Sequence, residues 1–164
     1  MRALLDADPT AHFLVLTPDL SQAEEMARRL LPEGRCTIRA AAHAEVPRYL
    51  RASDLGLLLR APDPINVVAC PTKFAEFAMS GLPVLISDGI GDCSTFVAER
   101  KAGVVLAEPA PAAAVAGVAA LRAEDGAARR ARIAEAGRAQ FSRQRHASAL
   151  AEIYRRLVAE SSSR

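Results

Sequence analysis

The sequence predicts an α/β fold, a three-layer Rossmann-like domain in which one parallel sheet carries helices on both faces. Three observations lead there. Five short runs rich in β-formers, near residues 12–17, 36–40, 55–59, 83–87 and 104–106, alternate with stretches of helical periodicity. Most of these runs are apolar throughout, as strands covered on both faces require. Each pair of runs is separated by enough chain for a helical crossover, which in a parallel sheet turns right-handed. The 164 residues leave room for one such core and no second, so 1–164 reads as a single domain.

After a short polar start, His12, Phe13, Leu14, Val15, Leu16 and Thr17 read as a buried strand closed by the turn at Pro18 and Asp19. A helix follows from Ser21, with Ala23, Met26, Ala27, Leu30 and Leu31 on one face. Glu24 and Glu25 are expected in its first turn, where the helix dipole favours acids, and Pro32 with Gly34 ends it. The strand at 36–40 leads to a helix at 45–52 carrying Val46, Tyr49 and Leu50, then to the strand at 55–59. Pro62, Asp63 and Pro64 make 61–64 a loop, because two prolines cannot continue a ladder. The next helix spans 71–80, stops at Gly81 and precedes the strand at 83–87. A loop at 88–92 feeds a helix through Lys101, capped by Asp92 and stopped at Gly103, before the last strand at 104–106. Helices then occupy 109–121 and 127–159, with a break expected within 137–142 and fraying from 161 onward. Ligands of such sheets bind at the carboxyl ends of the strands, so the loops after Thr17, Ala40, Arg60 and Ser87 share one rim.

Hydrophobic residues make up 51% of the chain and aromatics only 4%, so the core must pack mainly small and aliphatic side chains. Residues 125–164 hold nine Arg against four acidic residues, which raises the question of a nucleic-acid patch. These Arg interleave with Ala, Glu and Leu at helical spacing and have no aromatic stacking platform beside them, so a solvated helix face is the better reading and no nucleic-acid partner is expected. Cys36, Cys70 and Cys93 are odd in number and far apart in sequence, offering neither a disulfide framework nor a metal pair, which suits a reducing compartment. No apolar run approaches the roughly 20 residues of a membrane span, and the N-terminus lacks a signal-peptide core. A cytoplasmic domain is expected, with any membrane association left to other domains. His12, His43 and His146 form no cluster with metal-ligand spacing, so neither a metal nor a cofactor is expected.

The segment from Cys70 to Val84 carries the most chemistry. Pro71 suits the first helical position, which would leave the amides of Thr72 and Lys73 free to face an anion. Lys73 adds a full positive charge, and Glu76, three residues on, projects from the same side. A cation for a diphosphate and a carboxylate for ribose hydroxyls would thus sit one turn apart. The competing structural reading is an exposed helical ion pair between Lys73 and Glu76, worth only about 0.3–0.5 kcal/mol.

The pattern Lys73, Phe74, Ala75, Glu76 followed by Gly81, Leu82, Pro83, Val84 resembles the C-terminal domain of group 1 (GT4-type) glycosyltransferases of the GT-B fold. The likeness extends over nearly the whole chain. It takes in residues 46–59, similar to that family's helix, Ala-Asp, strand step, and residues 141–154, similar to its C-terminal helix. The resemblance implies one half of a GT-B enzyme that binds a nucleoside-diphosphate sugar for retaining transfer to an acceptor. Glu76 matches the second Glu of the family's Glu-x7-Glu motif, with a ribose-binding role, and Thr72 with Lys73 matches its Ser-Pro-Thr-Lys variant, Cys70 replacing Ser. The first Glu of that motif is replaced by Val68, leaving Asp63 or Asn66 as candidate stand-ins. The family's diphosphate-binding Arg and Lys lie upstream of the strand at 12–17, and its acceptor-binding domain is absent from these residues.

The expected donor-binding residues are therefore Pro71, Thr72, Lys73 and Glu76, with Arg39 and His43 framing the base from the loop after the second strand. A solvated loop histidine is the plain alternative for His43. Gly89 and Gly91 invite a dinucleotide-binding reading, but no third glycine follows, and Cys93 and Ser94 lack the nearby histidine that nucleophilic catalysis needs. Rival readings of the whole chain are a non-catalytic interaction module with a degenerate donor site and half of a sugar-nucleotide epimerase. An apolar face left for a missing domain also raises the expectation of a homodimer.

Overall fold

The computed structural model describes residues 1–108 and 110–161. The expected helix start at Pro109 and the fraying of residues 162–164 lie outside them. In chain order the elements are α1 (Arg2–Ala7), β1 (Phe13–Leu16), α2 (Leu20–Leu30), β2 (Cys36–Arg39), α3 (Val46–Ala52), β3 (Gly56–Leu58) and α4 (Pro64–Val67). Then follow α5 (Thr72–Met79), β4 (Val84–Ser87), α6 (Gly91–Arg100), β5 (Gly103–Leu106), α7 (Pro111–Arg122), α8 (Gly126–Phe141) and α9 (Arg143–Ser161). The fold is α/β, with every strand pair parallel.

The strands form two small sheets, β1 with β2 and β3-β4-β5, where the sequence predicts one. Strand β4 is buried at every position and carries the core, with Leu85 and Ile86 both at 0% exposure. No residue of β1 is buried, against the expectation for its apolar run, and His12 is exposed with Nε2 2.8 Å from the Thr37 hydroxyl. The physical reason is that β1 pairs on one edge only and its sheet has two strands, too few to be covered on both faces. Helix α2 shares this exposure: Met26 and Leu30, expected on its buried face, are each 54% exposed. Its cap is Asp19, whose carboxylate accepts from the Gln22 amide at 3.1 Å, so the helix starts at Leu20 and Glu24 and Glu25 fall beyond its first turn.

The larger sheet is braced by α5, α6 and α8. Phe74, Phe96 and Phe141, one from each helix, meet with ring centroids 5.3–5.7 Å apart. Such pairs contribute about 0.5–1.5 kcal/mol each beyond area burial. Gly137 is buried inside α8, where a Cβ would stand 2.5 Å from the Ala78 backbone. Only glycine admits that approach of α8 to α5, and the break falls at Ser142, within the expected 137–142. The arginines of α8 cap other helices: Arg130 donates to the Ser53 and Arg51 carbonyls at 2.8 Å each, and Arg132 to those of Arg100 and Lys101 at 2.7 and 3.0 Å. Cations at helix C-termini complement the dipole, which gives these charges a structural task. Helix α9 stands apart, with residues 143–160 all exposed. Among the described residues no helix is long and apolar enough to cross a membrane.

Candidate functional site

The carboxyl ends of β3 and β4 converge with the N-termini of α5 and α6. The Arg60 amide just beyond β3 donates to the Ser87 hydroxyl at the end of β4, at 3.0 Å, locking the two strand ends together. The Arg60 guanidinium donates to Asn66 Oδ1 at 2.9 Å, and Asn66 Nδ2 returns a bond to the Ala61 carbonyl at 2.8 Å. Asp63 caps α4 through a 2.8 Å bond from the Ile65 amide. Both candidate stand-ins for the missing carboxylate are thus committed to shaping the loop, while Val68 is 83% exposed. Of α4 only Pro64 falls in the loop expected at 61–64; at four residues the helix is too short to print a period in the sequence.

Pro71 is the N-cap of α5, one position earlier than the first helical position expected of it. Its extended backbone (φ −62°, ψ 123°) delivers Thr72 and Lys73 as the first helical residues, and both are exposed. Phe74 and Phe77 plunge into the core, which turns Lys73 and Glu76 outward along one face. Glu76 is half-buried, and among the described residues neither Lys73 nor Glu76 has an ion-pair or side-chain hydrogen-bond partner. The helical ion pair that was the competing reading is not formed.

Arg39 and His43 are carried by the smaller sheet. They lie at the end of β2 and in the loop after it, both exposed, and among the described residues no hydrogen bond or ion pair ties them to α5. The structure therefore groups Pro71, Thr72, Lys73 and Glu76 on the larger sheet and leaves Arg39 and His43 on the smaller one.

Two features of the rim escaped the sequence reading. Arg60 supplies a second cation, whose signal was its place directly after an apolar strand. Cys70 and Cys93, far apart in sequence, come near each other in the fold, close enough for Cys70 to influence the Cys93 thiol. Burial pushes the Cys93 thiol up to about 12, with Cys70 and the charge of Asp92 reinforcing the shift and Arg60 opposing it. Asp92 lies in the first turn of α6 and does not cap it; the N-cap is Ile90. Among the described residues no group of three or more His, Cys, Asp or Glu side chains could hold a metal ion. Compared with protein-family models and with curated proteins, the sequence matches none.

Proposed function

We propose that this chain is the nucleotide-sugar-binding half of a two-domain glycosyltransferase, completed by an acceptor-binding half. The observation that carries the reading is the exposed face of α5. An uncapped helix N-terminus, an unpaired Lys73 and an unpaired Glu76 lie together where a parallel sheet of this kind takes its ligands. The free amides of Thr72 and Lys73, with the Lys73 ammonium, would hold the diphosphate and stabilise the charge that develops as it departs. Glu76 would accept from ribose hydroxyls, and Arg60 is near enough to the rim to add to the field. The motif resemblance supports a retaining reaction, and the α/β architecture is compatible with half of a GT-B enzyme.

The order of the strands supports the same reading. The structure has two separate sheets, β1-β2 and β3-β4-β5; set side by side as β2-β1 and β3-β4-β5 with one further strand between β1 and β3, they would give the strand order of a doubly wound sheet. In the complete enzyme that strand would join the two into one sheet with helices on both faces. The family's upstream Arg and Lys would reach the diphosphate from the same region. A second reading, a non-catalytic interaction module, is favoured by one observation: exposed Val68 occupies the position of the missing carboxylate, and Asp63 and Asn66 are otherwise engaged. Half of a sugar-nucleotide epimerase would share the architecture, with its catalytic groups elsewhere.

Calorimetric titration with UDP, GDP and ADP tests the proposal. One nucleotide is expected to bind, and Glu76→Ala and Lys73→Ala are each expected to weaken it at least tenfold, about 1.4 kcal/mol. Binding unchanged in both variants, or none at millimolar nucleotide even when the chain is extended upstream, would overturn it in favour of the interaction module.

A further inference from the structure

Cys70 and Cys93 come from segments 23 positions apart, yet their side chains are neighbours. The backbone explains why. Gly91, at φ +44°, lies so close to residue 69 that a Cβ there would stand 2.3 Å from the Ala69 carbonyl oxygen. The chain just before Cys70 therefore rests on the first turn of α6, two residues before Cys93. The two thiols differ sharply in access: Cys70 is exposed, whereas Cys93 is 1% exposed. Cys36, the third cysteine, lies on β2 of the two-stranded sheet.

We infer that Cys70 and Cys93 are a site of reversible oxidative modification, at which a small-molecule disulfide converts the pair into an intrachain disulfide across the rim. The exposed Cys70 loses its proton to solvent and attacks one sulfur of glutathione disulfide, releasing one glutathione thiolate and leaving a mixed disulfide on Cys70. Cys93 then gives up its proton and attacks the Cys70 sulfur, displacing the second glutathione. Two protein thiols are oxidised and one glutathione disulfide is reduced to two thiols, so the exchange balances and runs backward under excess glutathione. Burial disfavours the Cys93 thiolate, so the second step is the slow one near neutral pH and accelerates with alkalinity. The closed bridge would tie the loop before α5 to the start of α6.

The test exposes the folded chain to glutathione disulfide at pH 7 and pH 9, blocks remaining thiols under denaturing conditions, and maps the peptides by mass spectrometry. The expected product is a Cys70–Cys93 linked peptide that forms faster at pH 9, with Cys36 still a free thiol. Cys93→Ser is expected to stop at a lasting mixed disulfide on Cys70, and Cys70→Ser to leave Cys93 unmodified over the same period. Three results would overturn the inference: a wild-type mixed disulfide on Cys70 that never closes, linkage of either cysteine to Cys36, or Cys70 crosslinks between chains. The readout involves no nucleotide, so its outcome is independent of the donor-binding proposal.

Discussion

At Gly91 a single missing Cβ holds two segments in register. The residue sits at φ +44° with the Ala69 carbonyl oxygen at 2.3 Å from where a Cβ would be, so Gly91→Ala must both strain the backbone and push residue 69 away. We expect a loss of about 1–3 kcal/mol in urea unfolding. Closure of the Cys70–Cys93 bridge should slow in the same variant, since the push separates the two thiols; an unchanged midpoint would mean the loop yields freely. This contact shows what a sequence hides. Lys73 and Glu76 were legible because both lie on one helix, where spacing alone fixes their face. Cys70, Cys93, Arg60 and Asn66 were not read together, because their meeting depends on how α4, α5 and α6 stack. Arg39 and His43 are carried by the other sheet, and nothing local in the sequence says which sheet their loop borders.

Among the elements, the long helices and strands were legible from period and punctuation, and the short ones were not. Helix α1 has six residues, less than two turns, and its Leu4 and Leu5 cannot establish a period against the polar residues around them. Yet α1 is tied in firmly. Leu5 is 3% exposed, and the Asp8 carboxylate at the end of α1 accepts from the Thr10 hydroxyl and amide at 2.7 and 2.8 Å and from Arg122 of α7. The Thr10 bonds, foremost, and Arg122 lower Asp8 from its ordinary 3.8 to about 2. Its folded-state value is depressed, so the stabilisation is fully present above the unfolded value near 4 and is lost as pH falls through about 2. Asp8→Asn should therefore lower the urea midpoint at pH 5, with the gap to wild type shrinking steadily from pH 4 to pH 2. A gap that stays constant over that range would show that the carboxylate's charge contributes nothing to the tie.

For the whole molecule, the surface is larger than the chain needs. The exposed area is 10892 Å², against about 7,900 Å² expected for a compact monomer of this length. The excess has identifiable sources. On α9, Leu150, Ile153, Tyr154 and Leu157 recur at helical spacing and are each more than half exposed. On the smaller sheet, β1 is apolar along its length and buried nowhere. Sequence patterning recorded what these elements are built to cover, not whether the covering partner is present, which is why β1 was read as buried. Its open edge gives a direct test of the one-sheet arrangement. The Phe13 and Thr17 amides donate toward β2, to the carbonyls of Arg35, just before it, at 2.9 Å and of Arg39 at 3.0 Å. By the alternation of a parallel ladder, the Leu14 and Leu16 amides point from the other edge, toward where a strand between β1 and β3 would lie. In hydrogen exchange on the chain alone, Leu14 and Leu16 should exchange far faster than the amides of β4, which open only with the core. Adding an apolar strand and turn upstream of Met1 should slow Leu14 and Leu16 at least tenfold while leaving Phe13 and Thr17 nearly unchanged. Protection of Leu14 and Leu16 in the chain alone would mean that the edge is already filled, and no slowing on addition would mean that the two sheets are not halves of one.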